Sequence, residues 1–131
     1  MIVAISAALL PGAVAQAADC ARADDQATLD TCAEHDRTQA DAELNRLYKQ
    51  VQDRLGSDGE QMKRLVATQR AWLAFRDAEC KFVSQPGPEA GSIFPMVLAN
   101  CLTSLTRKRS ADFKSYLTCP EGDVSCPLPP G

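Results

Sequence analysis

Residues 68–80, TQRAWLAFRDAEC, decide the fold of this chain of 131 residues. This stretch is predicted to be helical, and one face of the helix carries Gln69, Trp72, Arg76 and Cys80. These residues are three, four and four positions apart, which is the spacing of one helix face. At about 100° per residue, further apolar side chains fall within about 60° of this line, namely Met62, Leu65, Val66 and Leu73. A cation and an amide therefore lie inside an apolar stripe. They form either a functional site or a set of buried polar groups with partners elsewhere in the chain.

Outward from this stretch, the apolar pattern predicts three helices and no strand. The first helix spans about residues 25–55, and GSDG at 56–59 supplies a turn and a new helix start. The second spans about residues 60–83, and the prolines and glycines of SQPGPEAGS at 84–92 then form a loop. The third spans about residues 93–117. We therefore predict an all-α fold, an antiparallel helical hairpin plus a third helix, braced by disulfides.

The first and third helices each have a predicted core stripe at helical spacing. On the first helix it comprises Ala33, Ala40, Leu44, Leu47, Tyr48, Val51 and Leu55. On the third helix it comprises Phe94, Leu98, Cys101, Leu102, Leu105 and Tyr116.

Short connections make successive helices antiparallel neighbours, which gives the polar residues of the opening stretch predicted partners. Folding about residues 57–58 brings Arg76 near Asp41, so we predict that these two side chains pair. The same fold brings Gln69 near Asn45, and these amides satisfy each other or the backbone. Trp72 fills the space between the two pairs.

The third helix, folded back in the same way, brings Arg109 towards the height of Gln69. This cluster is predicted to be structural. The alternative is that Arg76 and its neighbours line a ligand pocket.

The N-terminal residues have the features of a secretory signal peptide. Residues 1–17 contain no charged side chain, carry a short apolar run and offer small residues at Ala15 and Ala17. The run is too short to span a bilayer, and Cys20 lacks the pattern of a lipid-anchored cysteine. We predict a signal peptide at 1–17, a helical domain at 18–118 and a Cys- and Pro-rich irregular tail at 119–131, exported to the periplasm or secreted.

Six cysteines without a Cys-x-x-Cys pair indicate disulfides rather than a zinc or thioredoxin-like site. Cys80 and Cys101 lie on core stripes at adjacent helix ends, so they can meet across the loop. Cys32 points away from the second helix, which leaves Cys20 as its partner. The remaining two close a small loop in the tail, which predicts the pairs Cys20–Cys32, Cys80–Cys101 and Cys119–Cys126.

The net charge of −3 is unevenly distributed. Residues 19–43 hold eight acidic residues against two arginines, a local net charge of −6. The short basic run at 107–109 lies near the end of the third helix, where positive charge is favourable. We expect no nucleic-acid partner and no membrane span, and the sequence leaves the oligomeric state open.

The sequence also argues against an enzyme. The lone His35 has no arranged nucleophile, Ser104 and Ser110 lack an elbow motif, and the adjacent Asp24 and Asp25 point in different directions on a helix. We therefore predict no catalytic residue, no metal and no cofactor.

The ordered motifs of this chain resemble those of the LprI-type lysozyme-inhibitor family. In chain order they are Cys20, Cys32, ADAELNRLYKQV at 40–51, QRAWLAFRDAEC at 69–80, Gly91-Ser92, Cys101, LTRKR at 105–109 and Tyr116-Leu117. The resemblance covers about residues 20–117, and the QRAW segment followed by Arg-Asp and Cys is its most specific part. It implies a helical, disulfide-braced periplasmic or secreted domain that binds and inhibits lysozyme. The present chain departs from the family in lacking a lipid-anchor cysteine and in having the two-cysteine tail.

A lysozyme inhibitor should have an acidic surface for electrostatic steering and a protruding element for a cleft that contains two carboxylates. The acidic segment supplies the first, with Asp24, Asp25 and Glu34 as candidate partner-binding residues. The loop at 84–92 supplies the second, with the candidates Gln85, Glu89 and Ser92.

Two alternatives remain open for these features. The acidic segment is equally typical of a solvated helix face, and the loop is also typical of a plain connector. A structural or envelope-stress protein that binds another periplasmic partner, without inhibiting lysozyme, would have the same features.

Overall fold

The computed structural model of the chain describes residues 19–84 and 91–130. It contains helix α1 at Gln26–Leu55, helix α2 at Gly59–Ser84, a short 3-10 turn at Gly91–Ile93 and helix α3 at Phe94–Leu117. Within these residues there is no strand, which confirms the predicted all-α class. The predicted signal peptide and most of the predicted loop lie outside the described residues. None of the described helices is both long and apolar enough to cross a membrane.

Local interactions set the helix boundaries. The Asp25 side chain caps α1 by accepting a hydrogen bond from the backbone amide of Thr28 at 2.9 Å. Gly56 ends the same helix with a φ of 54°, a value that favours glycine over residues with a side chain. Asp58 then accepts a hydrogen bond from the amide of Gln61 at 3.1 Å, at the start of α2. These caps explain why a turn of only three residues, 56–58, separates two long helices.

The most extensive helix packing lies between α1 and α3, followed by that between α2 and α3. Contacts such as Gln26 with Met96 and Tyr48 with Phe113 show that α1 and α3 run parallel. The α1–α3 interface is lined by small buried residues, which let the two backbones approach closely: Ala33, Ala40, Ala99, Thr103, Thr106 and Ser110.

Helix α2 runs antiparallel to α1, as predicted, but its backbone stays farther from α1 than that of α3 does. Its core-facing side chains are long, and Met62, Leu65 and Trp72 hold the two backbones apart.

The apolar core lies near the α1–α2 turn. Its buried members are Leu44, Leu47, Val51, Leu55, Phe113 and Leu128. Leu128 comes from the tail, which is irregular as expected but contributes to the core. Arg54 donates a hydrogen bond to the carbonyl of Pro129 at 2.7 Å and Gln61 donates one to that of Pro127 at 3.3 Å, which fastens the tail to α1 and α2.

The buried line of α3 differs from the predicted stripe. The residues of that stripe are only half-buried, whereas the fully buried residues are Ala99, Thr103, Thr106, Arg109, Ser110 and Phe113. The prediction was wrong because it followed the largest apolar side chains. The line that meets α1 is instead made of small and polar residues.

Three disulfides brace the fold, and they are the pairs expected from the sequence. Cys20–Cys32 joins the segment before α1 to that helix, and Cys80–Cys101 joins the end of α2 to α3. Cys119–Cys126 closes a loop in the tail.

Candidate functional site

The QRAWLAFRDAEC stretch places Arg76 in a polar layer between the three helices. Its Nη1 donates hydrogen bonds to Asp41 Oδ1 at 3.1 Å and to Thr106 Oγ1 at 3.2 Å. Its guanidinium lies over the Trp72 ring, 5.2 Å from the centroid, and the side chain is only 13% exposed. Asp41 also accepts a hydrogen bond from Arg37 at 2.7 Å, so two guanidinium groups share this carboxylate. The geometry matches the predicted Arg76–Asp41 pair.

The second arginine of the layer is Arg109 on α3, and it is more deeply buried. Its side chain is 7% exposed, and its Nε donates a hydrogen bond to Gln69 Oε1 at 3.1 Å. Its Nη1 lies 3.4 Å from Asp112 Oδ2, and its guanidinium stacks 4.5 Å from the centroid of the Phe113 ring. The sequence analysis predicted that folding back the third helix brings Arg109 level with Gln69 along the helix axes. The structure agrees, and Gln69 therefore accepts its hydrogen bond from α3.

The predicted partnership of Gln69 with Asn45 is wrong. Asn45 is exposed on α1, one residue after the buried Leu44 and therefore about 100° around the helix from it. Gln69 meets α3 instead, because α2 packs more closely on α3 than on α1.

This layer connects helices rather than forming an open site. Gln69 and Arg109 are buried, and Arg76 is largely covered. A cavity of about 260 Å³ lies between the helices and the tail, with Arg109, Leu65 and Leu128 on its wall, and Arg76 does not line it. The geometry therefore favours the structural interpretation of Arg76 over the pocket alternative.

The predicted acidic partner-binding residues are all exposed, but two of them already have structural roles. Hydrogen bonds from Thr28 lower the pKa of Asp25, the residue that caps α1. A hydrogen bond from Arg37 lowers the pKa of Glu34, and the two side chains form a forked ion pair. Asp24 is exposed just before the cap.

Farther along α1 the carboxylates have basic partners. Glu43 accepts a hydrogen bond from Arg46 Nε at 2.8 Å and lies 3.4 Å from Lys114 Nζ on α3. Of the described exposed acids before and on α1, those that pair with no lysine or arginine lie before or near its start: Asp19, Asp24, Asp25 and Asp36. We call residues 19–36 the acidic end.

The structure brings the end of the predicted loop next to this acidic end. The Gly91–Ile93 turn contacts α1, and Gln26 Nε2 lies 3.8 Å from Met96 Sδ just after the turn. Ser92 is exposed in that turn, whereas Gln85 and Glu89 lie outside the described residues. Asp24 and Ser92 thus lie at one end of the molecule.

Exposed apolar residues at the same end, Ile93 and Val83 among them, were missed by the sequence analysis. Ile93 is in the 3-10 turn and Val83 is in the last turn of α2, and about half of each is exposed. Val83 lies at the end of the helical pattern of α2 and Ile93 precedes that of α3, so neither position has a full helical period around it. Both side chains are exposed and therefore available for contact with a protein partner. No cluster of three His, Cys, Asp or Glu residues in the described part of the chain is arranged to hold a metal ion.

Comparisons with known proteins agree with the motifs. A family model described as lysozyme inhibitor LprI matches residues 17–113. An uncharacterized protein of Rhizobium meliloti strain 1021 is 35% identical over 116 residues, which cover 79% of this chain and 81% of the relative. No solved structure matches the chain. The predicted resemblance is confirmed, and the chain belongs to the LprI family of lysozyme inhibitors.

Proposed function

We propose that this chain is an exported protein that binds and inhibits lysozyme through its acidic end and the adjoining Gly91–Ile93 turn. The observation that carries the proposal is the position of exposed acids beside exposed Ser92 and Ile93. The acids attract a cationic partner and so raise the association rate. The side chains of the turn contact the bound partner and so lower the dissociation rate. Membership of an inhibitor family supports a binding role rather than a catalytic one.

Export is supported by the cysteines. All six form disulfides, which persist in oxidising compartments such as the periplasm and the cell exterior. The sulfur of Cys20 is bonded to that of Cys32, and a sulfur in a disulfide is not free to carry a lipid thioether. We therefore expect intact-mass analysis to find a mature chain starting near Ala18 without an acyl group.

The decisive experiment measures both lysis and binding. The purified disulfide-bonded protein is mixed with several lysozymes, cell-wall lysis is followed, and association and dissociation rates are measured on a sensor surface. The charge-reversal variant combines Asp24→Lys with Asp36→Lys, because these exposed acids do not cap α1 as Asp25 does. A control with the same change in net charge combines Asp53→Lys with Glu121→Lys, at the opposite end of α1 and in the tail.

We expect the Asp24/Asp36 variant to associate several-fold more slowly at low salt, with a smaller change in the control. Ile93→Ser should instead speed dissociation, because it removes apolar contact without changing charge. If the wild-type protein binds no lysozyme at any salt concentration, the proposal fails. The chain is then better explained as an envelope protein with a different partner.

A further inference from the structure

Helix α2 carries an exposed apolar line in addition to the line that packs in the core. Its members are Ala71, Phe75, Ala78 and Phe82, spaced by four, three and four residues, which is the period of helices that pair with other helices. Phe75 is 55% exposed and Phe82 is 83% exposed. We call these four residues the α2 stripe.

The stripe lies on the side of α2 that faces away from its own domain. At about 100° per residue its members fall within about 60° of one another, whereas the buried Gln69 and Cys80 lie more than about 100° from Phe75. The QRAWLAFRDAEC segment therefore has two faces, and the fold described above uses only one of them.

We propose that a second copy of this chain covers the α2 stripe, with the two α2 helices antiparallel about a twofold axis between residues 76 and 77. This axis sets Phe75 against Ala78 of the second copy and Phe82 against Ala71 of the second copy. Each phenylalanine ring then packs against the methyl group of an alanine, and each of these contacts occurs twice because of the twofold axis. A parallel pair in register would instead place ring against ring and methyl against methyl, which packs less well.

The charges beside the stripe lie at the edges of this pairing. Glu79 flanks one side of the stripe and Lys81 flanks the other. In the antiparallel register Glu79 lies beside Trp72 of the second copy, and Lys81 lies beside Ala74 of the second copy. Neither charge lies directly opposite its own counterpart, but Lys81 is as close in height to Arg70 of the second copy as to Ala74, so one like-charge approach at the edge of the interface weakens the dimer.

The exposed area fits a weak dimer. If a phenylalanine side chain offers about 200 Å², the exposed fractions of Phe75 and Phe82 amount to about 550 Å² over two copies. The alanines and flanking residues bring the buried total towards about 1,000 Å², the lower end of specific interfaces. The dimer is therefore reversible and dependent on concentration, and it does not rest on the proposed binding of lysozyme.

The test is sedimentation of the disulfide-bonded protein over a series from about 10 μM to 1 mM. The weight-average mass of the wild type should rise towards twice the monomer mass. Phe75→Ala should lose this rise, and Ala78→Phe should lose it as well because two rings then collide. The double variant Phe75→Ala with Ala78→Phe restores one ring and one methyl at each contact, so it should dimerise again. Val124→Ser, which alters an exposed apolar residue of the tail, is the matched control and should behave like the wild type.

Circular dichroism spectra and melting curves establish that each variant is folded, which these exposed positions should allow. A wild type that stays monomeric at every concentration overturns the proposal. A folded double variant that does not dimerise also overturns it, because rescue is specific to a pairing of residue 75 with residue 78. If the wild type is monomeric and Phe75→Ala binds lysozyme more weakly than the wild type does, the stripe contacts lysozyme and the dimer is excluded.

Discussion

Arg76 joins α1, α2 and α3 through one guanidinium group. Arg76→Ala should lower the free energy of unfolding by about 1–3 kcal/mol, since it removes charged hydrogen bonds and the contact with Trp72. The loss is limited because Asp41 keeps its hydrogen bond from Arg37. Urea unfolding measures the change, with the exposed Arg70→Ala in the same motif as control. An Arg76→Ala variant of wild-type stability that no longer binds lysozyme would restore the pocket interpretation.

The Arg109–Gln69 pair should be more sensitive. Arg109→Ala leaves a cavity over Phe113 and a buried amide oxygen of Gln69 without its donor, so we expect a loss of about 2–4 kcal/mol. Combining it with Gln69→Ala in a double-mutant cycle should give a coupling energy of about 1–2 kcal/mol. A coupling near zero would mean that the 3.1 Å hydrogen bond contributes nothing in solution.

Glu43 should make stability dependent on pH. A hydrogen bond from Arg46, helped by Lys114, lowers the pKa of Glu43 from 4.5 to about 2. A carboxylate with a lowered pKa in the folded state stabilises it fully above its unfolded pKa, and this contribution is lost as pH falls towards 2. Between pH 4.5 and 2 the free energy of unfolding should therefore fall more steeply in the wild type than in Glu43→Gln. Unfolding curves at several pH values test this, and identical slopes would contradict it.

At the scale of helices, Cys80–Cys101 is the only disulfide that joins two long helices. Replacing both cysteines by serine should lower the free energy of unfolding by about 2–4 kcal/mol. Replacing Cys119 and Cys126 should have a smaller effect, because that pair closes a loop of 7 residues instead of 21. Denaturant unfolding of the two double variants compares them directly, and the reverse order would contradict the assignment.

The helices also show how far sequence reasoning reaches in this chain. The stripe of α1 was predicted correctly because Leu44, Leu47 and Val51 give a strong helical period. The buried line of α3 was missed because Thr103 and Ser110 have no apolar signal, and only the close approach of α1 makes their small size important. The exposed position of Asn45 follows from its place off the stripe of α1, whereas the pairing of Gln69 with Arg109 depends on the spacing between helices, which no local pattern encodes.

The charges are unevenly distributed along α1, because the exposed acids that pair with no lysine or arginine lie before or near its start. If the acidic end steers lysozyme, the wild-type association rate should fall as salt shortens the Debye length to about 8 Å at physiological ionic strength. The dissociation rate should change less, because it depends on close contacts. Rates measured over a salt series test this, and an association rate independent of salt would exclude steering.

The parallel pairing of α1 with α3 also bears on the order in which the chain folds. The most closely packed helices lie on opposite sides of α2 in the sequence, so their contacts join residues about 65–70 positions apart, as between Tyr48 and Phe113. Loop closure over this separation must precede the formation of the main interface, which slows folding relative to helical proteins with mostly local contacts. Until α3 has been synthesised, α1 lacks its principal packing surface. A chain that stops at Ser84 should therefore stay unfolded, which its circular dichroism spectrum would show.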